Sequence, residues 1–423
     1  MVEADIYFVG ALSNAYRRAA WLGLPVVNTD LVLCYAVGRS SLLNRQLPNI
    51  FGAYWRPVRR GESGLSDPDP PDTPRFTPAI DTEVAAQTAA VLRLAAYKGA
   101  DPAHVRARYT RRPLRLPTFS PAVRYAVFTG LLEGERSGLT LAGPLHLIVG
   151  LLSVPDGAAG WIMKLLTDED WEPGSARLLE LTQIAHTAPG RPFDDLVGPL
   201  TVARVLPLTR EPRFWSWPWR AAVWWFERRY FRGPYRRHGA RYGHVILSTI
   251  ETDALTKAIL TGGDFVTGAH VLISVLDLHE QLTAAGRPLP DPVARWNAAG
   301  EILARHGVTR LAAARAARDL PEGPADHEGD LDELPSRGWR RIQNSLGAPR
   351  YGRTALAALR RASLAAHRQG HPYAGTTHLL IELLAEPAGP ATCLLRHLHV
   401  DPEAVRADAL RSLQEDSGRR TLD

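Results

Sequence analysis

Cysteine is scarce in this sequence, and long apolar runs are missing. The 423 residues include two cysteines, Cys34 and Cys393, and each lies inside an apolar run (LVLCYAV and ATCLLRHL). We therefore expect two buried thiols in a reducing cytoplasm, and neither a disulfide nor a metal-binding pair. No apolar run reaches the roughly 20 residues that a membrane span needs. The acidic start, MVEADIYFVGAL, does not suit a signal peptide, so the sequence favours a cytoplasmic protein.

Lysine is almost absent, and the positive charge is carried by arginine. Lysine occurs only at Lys98, Lys164 and Lys257, although the formal net charge is +6. Spread over this length, the excess does not by itself indicate nucleic-acid binding. We interpret the arginine bias as that of a GC-rich, actinobacteria-like genome. The 45% hydrophobic content is enough for buried cores, and the length predicts roughly two to four domains.

One pattern recurs along the chain. The stretch HPYAGTTHLLIELL (371–384) resembles LTLAGPLHLIVGLL, GDFVTGAHVLISVL and, more weakly, PVVNTDLVLCYAV. His378, His146 and His270 precede the apolar run in three copies, and Leu31 takes that place in the remaining copy. A histidine at one place of a helical repeat favours packing or hydrogen bonding at a helix start over metal binding. We therefore expect no metal and no cofactor.

The last copy predicts four short helices. The first is the alanine-rich TALAALRRASLAAHRQG, and the second begins near Thr376 or Thr377, with a threonine as N-cap. GPATCLLRHLHV predicts the third, and Asp401 is expected to cap the fourth. Asp101-Pro102 repeats that cap in the first copy and predicts a helix start there. The inward face of the fourth helix is expected to contain Val405, Ala409, Leu410 and Leu413.

The repeat resembles the Clp N-terminal repeat, the double four-helix module at the front of ClpA- and ClpC-type unfoldases. That family's pattern reads roughly His-x-Tyr-x-Gly-Thr-Glu-His before leucine- and isoleucine-rich residues, and His371, Tyr373, Gly375, Thr376 and His378 match it. The resemblance implies an all-α fold of tandem four-helix Clp N-type repeats in two pseudo-twofold domains. These are residues 1–187, with an insertion at 39–75, and residues 240–416, with an acidic loop at 321–349.

The resemblance implies a stand-alone peptide- or protein-binding module linked to Clp proteolysis. It would act without ATPase modules as an adaptor, a competitor or a sink for Clp-directed peptides. Expected partners are Clp protease components or their clients, and hydrophobic or cyclic peptides. In some members the acid of Gly-Thr-Glu-His helps to read phosphorylated arginine. The corresponding places here hold Asp30, Leu145, Ala269 and Thr377, so only one keeps a carboxylate.

Ligand contacts are also implied by the resemblance. Aromatic residues stand at three repeat starts, and a basic residue follows one of them. The expected ligand-binding residues are Phe119, Arg124, Tyr242, Tyr351, Asp30 and Thr376. With one matching carboxylate, we expect weak phosphoarginine binding or none.

A connector at 188–239, rich in tryptophan and arginine, separates the two predicted domains. Three interpretations remain open: a hydrophobic strut between domains, an interfacial membrane attachment, or a partner-docking patch. The contact residues of the last two would be Trp219, Trp224 and Trp225. The alternative function is therefore a non-catalytic scaffold that recruits a membrane surface or another partner. Acidic stretches such as DHEGDLDEL disfavour nucleic acid.

Motifs for catalysis are weak. GAPRYGRT imitates a phosphate-binding loop, but Arg353 replaces the required lysine, and no hydrophobic strand precedes it. The sequence contains no nucleophile elbow, no His-Glu-x-x-His and no Cys-x-x-Cys. We expect no enzyme activity, and the enzyme alternative depends on nucleotide binding at GAPRYGRT.

Overall fold

A computed structural model describes residues 2–38, 58, 66–69, 78–110, 116–188, 200, 243–320, 349–371 and 373–419. The chain divides into two compact units, Met1–Phe193 (unit 1) and Asp194–Asp423 (unit 2). The predicted all-α class is confirmed, since the described residues form helices joined by two-residue parallel pairings. Within this described part, no helix combines the length and apolar character that crossing a bilayer requires.

Unit 1 contains two repeats. The first comprises β1 (Glu3–Ala4), α1 (Ile6–Leu22), β2 (Val26–Val27), α2 (Thr29–Val37) and α3 (Pro78–Thr110). The second comprises β3 (Thr118–Phe119), α4 (Pro121–Arg136), β4 (Leu141–Ala142), α5 (Pro144–Leu152), α6 (Ala158–Thr167) and α7 (Ala176–Thr187).

The two repeats exchange their strands. β1 pairs in parallel with β4, and β2 pairs in parallel with β3, with Val27 opposite Phe119. Each pairing joins the segment before the first helix of one repeat to the segment before the second helix of the other. This reciprocal arrangement gives unit 1 its pseudo-twofold symmetry and brings helix starts from both repeats together.

Unit 2 repeats this plan. It begins with α8 (Gly243–Thr261), β5 (Phe265–Val266), α9 (Gly268–Ala284), α10 (Asp291–Ala294), α11 (Ala299–Arg305) and α12 (Arg310–Asp319). It continues with β6 (Arg350–Tyr351), α13 (Arg353–Arg368), α14 (Thr376–Leu383), α15 (Pro390–His397) and α16 (Pro402–Arg419). β5 pairs in parallel with β6, with Val266 opposite Tyr351, as β2 does with β3.

The second helix of each repeat lies in the core. In α5, every residue from Leu145 to Leu152 is buried. Glycine lets α5 touch α4, because a Cβ on Gly150 would lie 2.0 Å from the Ala126 carbonyl oxygen. Each fully buried leucine of such a helix contributes about 1.5–3 kcal/mol. Burial on all sides explains why these helices appear in the sequence as apolar runs without a polar face.

The predicted helix start at Asp101-Pro102 is wrong, since α3 continues from Pro78 to Thr110. In the last repeat the helix does end before the corresponding residues, because His399 adopts a left-handed φ of 57°. A new helix begins after Asp401, whose Oδ1 accepts from the Glu403 amide at 3.0 Å. Gly99 takes the place of His399 in α3, and it remains helical against α1. A Cβ there would lie 2.5 Å from the Ser13 carbonyl oxygen.

Two smaller expectations about burial are also wrong. Leu410 is 37% exposed, whereas Val405, Ala409 and Leu413 are buried with the spacing of a single helical face. Cys34 is buried as expected, but Cys393 is half-buried. The third helix does begin at Pro390, which lacks the amide hydrogen that a first-turn residue would leave unpaired.

Candidate ligand-binding site

The three repeated histidines cap helix starts. Nδ1 of His146, His270 and His378 accepts a hydrogen bond from the backbone amide three residues earlier, at 3.2, 3.0 and 3.2 Å respectively. All three side chains are buried. Burial lowers the pKa of each imidazole to about 4. Each ring is therefore neutral with its proton on Nε2, and the predicted structural role is confirmed.

The predicted threonine N-cap is wrong. Gly375 occupies the N-cap position of α14, and the His378 ring satisfies its amide. The other ring nitrogen of His378 lies 2.8 Å from Nδ1 of His371, whose ring stacks on Trp296 with centroids 4.0 Å apart. Across the described part of the chain, no three His, Cys, Asp or Glu side chains are placed to hold a metal ion.

The first repeat lacks this histidine, and a carboxylate from elsewhere binds its second helix. The first amide of α2, at Thr29, donates to Oδ2 of Asp67 at 2.8 Å. The Thr29 hydroxyl donates to Oδ1 of the same carboxylate. Ser120, the N-cap of α4, donates from its hydroxyl to Oδ2 at 2.8 Å, and the Ala158 amide at the start of α6 lies 3.4 Å from Oδ1. Three helix starts therefore converge on one anionic group.

The electrostatics of this arrangement favour a negative charge. The amide ends of α2, α4 and α6 each carry the partial positive charge of a helix N-terminus. Hydrogen bonds to an ionised acceptor are stronger than those between neutral groups. Thr29 and Ser120 are buried, so their donors need a partner within the protein. The arrangement can thus hold a carboxylate or a similar oxyanion.

Unit 2 has a cleft at the corresponding place. The three helix starts of unit 1 have counterparts in unit 2. Gly268 at the start of α9 corresponds to Thr29 at the start of α2, and Gly352 before α13 corresponds to Ser120 before α4. Pro390 at the start of α15 corresponds to Ala158 at the start of α6. The cleft is shallow and open to solvent, and its lining includes Gly268, Thr354, Arg361, Glu382, Gly389 and Ala391. Across its wall, the Arg361 guanidinium donates from Nε to Glu382 Oε2 at 2.9 Å.

The start of α14 is occupied by the chain itself. The Thr376 amide donates to Oδ1 of Asn297 at 2.9 Å, and the Thr377 amide donates to the Trp296 carbonyl at 3.0 Å. The Thr377 hydroxyl accepts from the Ala298 amide at 3.0 Å. The predicted contact residue Thr376 thus lies at a helix start that is already filled by residues 296–298.

The structure buries most of the predicted ligand-binding residues that it describes. Phe119 is 8% exposed and lies against Tyr16, with ring centroids 5.4 Å apart. Tyr351 is 5% exposed, and its hydroxyl donates to the Glu251 carbonyl. Asp30 is buried, and its carboxylate accepts from the Leu31 amide at 2.6 Å. A ligand that reached either aromatic ring would have to displace part of the core.

The predicted residues of unit 1 nevertheless border the carboxylate-binding cluster. Asp30 follows Thr29, Phe119 precedes Ser120, and Arg124 is exposed on the second turn of α4. Tyr242, Trp219, Trp224 and Trp225 lie outside the described residues. The ligand-binding roles of all these residues stay predictions.

Comparison of the repeats could not have found Asp67. It lies in the predicted insertion at 39–75, which has no counterpart in the other copies. Thr29, the first residue of α2, and Ser120, the N-cap of α4, did carry a weak signal, because both residue types favour helix starts. Their common partner, however, lies 38 and 53 residues away along the chain.

Comparison with known proteins identifies the fourth repeat. Residues 350–420 match the family model of the Clp repeat (R) N-terminal domain. This range covers β6 and α13 to α16. No curated protein matches the chain. The match confirms the predicted resemblance for residues 350–420, and this part of the chain is a Clp-related protein-interaction module.

Proposed function

We propose that the chain contains a peptide- or protein-binding module of the Clp N-domain type. It acts beside the Clp machinery as an adaptor, as a competitor for unfoldase ligands or as a sink for Clp-directed peptides. The observation that carries this proposal is the match of residues 350–420 to the Clp repeat N-terminal domain. Clp N-terminal domains mediate protein interactions with Clp-system components, which makes those components the first partners to test.

The cleft of unit 2 is the surface we assign to this binding. It lies in the matched repeat and combines the small residues Gly268 and Ala391 with an ion pair, Arg361–Glu382, on its wall. Small residues admit an extended peptide backbone close to the helices, and the half-exposed guanidinium supplies donors for a carbonyl or carboxylate. The Arg361 side chain is 42% exposed, so a ligand group can approach the guanidinium from solvent.

Binding to purified Clp components tests the proposal directly. The full chain is immobilised, and purified Clp unfoldase and Clp protease subunits are passed over it in separate arms. We expect one of them to bind, and binding to fall at least tenfold in Thr354→Trp, whose indole would fill the cleft. Arg361→Ala should weaken binding less, because it removes donors without blocking the cleft.

The matched control is Arg353→Ala, which removes an exposed arginine from the same helix outside the cleft lining. Circular dichroism confirms that each variant keeps its helical content. Failure of every Clp component to bind would refute the Clp link. Binding that Thr354→Trp leaves unchanged would refute the assignment of the cleft.

A further inference from the structure

We propose that the exposed face of α13 around Leu364 binds an acidic peptide segment of a partner protein. The surface, called the α13 patch, consists of Leu364 and the residues three or four positions away from it, which are Arg360, Arg361, His367 and Arg368. Residues at these separations are neighbours on the surface of a helix. The patch adjoins the cleft at Arg361. The inference does not rest on the Clp link, because it concerns the chemistry of the bound segment and not the protein that supplies it.

The α13 patch lies on the side of the helix that faces solvent. The buried side of α13 consists mainly of alanine, at positions 355, 358, 362 and 366. On the opposite side Leu364 is 54% exposed, and Arg360, His367 and Arg368 are exposed as well. A single exposed leucine is ordinary on a protein surface. Here the leucine stands at the centre of basic residues, and an apolar centre with a polar rim is the usual arrangement of a protein interface.

The charge of the α13 patch determines the sign of its partner. The sequence of α13 contains no aspartate or glutamate. Among the described contacts, the carboxylate at the patch is that of Glu382 on α14, which accepts from Arg361 Nε at 2.9 Å. Three guanidinium groups are thus set against one carboxylate, and a partner that brings further carboxylates complements them. Guanidinium and carboxylate groups form charge-assisted hydrogen bonds that are often bidentate.

An acidic peptide suits the α13 patch better than nucleic acid does. Surfaces that bind single strands combine basic groups with aromatic side chains on which bases stack, and the patch contains no tryptophan, tyrosine or phenylalanine. Phosphate groups would leave Leu364 in water, whereas an apolar side chain of a peptide can cover it. The patch contains arginine and no lysine, and arginine is the cation that is enriched in protein interfaces. The bound segment should therefore carry an apolar side chain between its carboxylates.

The test measures the fluorescence anisotropy of a labelled peptide of Glu-Glu-Leu repeats that is titrated with the full chain at low ionic strength. We expect saturable binding with a Kd of order micromolar, and sodium chloride should weaken it because salt screens exposed charges. A peptide of Glu-Glu-Ser repeats should bind about fivefold more weakly or worse, since its hydroxyl cannot replace the apolar contact with Leu364. A peptide of Lys-Lys-Leu repeats keeps the leucine and reverses the charge, and it should not bind.

Leu364→Asp and Arg368→Glu locate the binding, because neither residue lines the cleft. Each should weaken the Glu-Glu-Leu peptide at least tenfold, since each places a negative charge on the patch. The matched controls are Leu179→Asp on α7, where the leucine is 56% exposed, and Arg315→Glu on α12, where the arginine is exposed. They change the charge of the chain by the same amounts and should leave the Kd within about twofold, because their charges lie outside the patch.

Circular dichroism checks the helical content of every variant. Should Leu364→Asp fail to fold, Leu364→Ser against Leu179→Ser decides the question by the same comparison. The inference is overturned if no saturable binding occurs, if the Lys-Lys-Leu peptide binds as well, or if the α13 variants act no more strongly than their controls. A labelled oligothymidylate that binds more tightly than the peptide and is lost in the same variants would assign the patch to nucleic acid. Peptide binding that appears only in the variant Asp330→Asn, Asp332→Asn, Glu333→Gln would assign it to the acidic loop of this chain.

Discussion

Replacing His270 with leucine tests two effects of a buried histidine cap on stability, namely its hydrogen bond and its pH dependence. Leucine is the residue that the first repeat already carries at this place, as Leu31. The change removes the acceptor that Nδ1 offers to the Thr267 amide at 3.0 Å, and also the contact between Nε2 and the Thr261 hydroxyl at 2.8 Å. At neutral pH we expect the variant to lose about 1–3 kcal/mol of unfolding free energy, the usual cost of a buried amide left unpaired.

The same change removes a pH dependence. Burial lowers the pKa of His270 to about 4, against 6.5 for an unperturbed histidine. A lowered pKa contributes stability that is fully present above pH 6.5 and is lost as the pH falls towards 4, because the unfolded chain takes up the proton first. This difference corresponds to a loss of about 2 kcal/mol at pH 5 and about 3 kcal/mol at pH 4. Leucine at position 270 has no proton to bind.

Urea denaturation followed by circular dichroism at pH 7, 6, 5 and 4.5 checks the hydrogen-bond loss at neutral pH and the decline in stability as the pH falls. The stability advantage of the wild type over His270→Leu should shrink steadily as the pH falls and should vanish or reverse near pH 4.5. His270→Asn is the control, because its side-chain oxygen can accept the Thr267 hydrogen bond without titrating in this range. A stability difference between wild type and His270→Leu that stays constant from pH 7 to 4.5 would refute the reasoning.

Three further predictions concern packing, charge and catalysis. Gly150→Ala should destabilise unit 1 by about 1–3 kcal/mol in calorimetry, because the added Cβ would meet the Ala126 carbonyl. Gly160→Ala is the control, and it should be neutral or slightly stabilising because a Cβ there would have nothing within 4 Å. Equal effects of the two substitutions would contradict the close crossing of α4 and α5. Lys257→Met should cost about 3–5 kcal/mol in urea denaturation by leaving the buried Asp277 carboxylate without its main partner, and adding Asp277→Leu should recover most of that loss. A double variant no more stable than the single one would show that the unpaired charge is not the cause. We also expect the full chain to release no phosphate from ATP in a colorimetric assay, and turnover above the buffer blank would contradict this.

Much of the last repeat could be predicted because its signals are local. A proline at the first helical position and a glycine before a leucine run act within a few residues of where they stand. The histidine cap is local too, since the ring and the amide it accepts from are three residues apart. Thr376 was nevertheless misjudged as a cap, because threonine and glycine both suit that position and sequence alone does not rank them in this context.

The continuity of α3 could not be predicted, because it depends on a neighbouring helix. Asp101-Pro102 matches Asp401-Pro402 residue for residue. What differs is the contact of Gly99 with α1, which favours the helical conformation there over a turn. Local propensity was overridden by packing, as often happens when a weak preference of about 1 kcal/mol competes with a buried contact.

The sequence by itself determined the repeats, the all-α fold class, the burial of the second helices and the family resemblance of the fourth repeat. These follow from apolar periodicity and capping chemistry, which are written in adjacent residues. Only the tertiary structure decided which helix starts meet, because the strands that bring them together are two residues long and carry no periodic signal. The tertiary structure also placed Asp67 against Thr29, Ser120 and Ala158, at separations of 38, 53 and 91 residues. Contacts at such distances arise when the fold closes, so hydrogen-bond geometry and electrostatics in the folded state, and not local preference, select them.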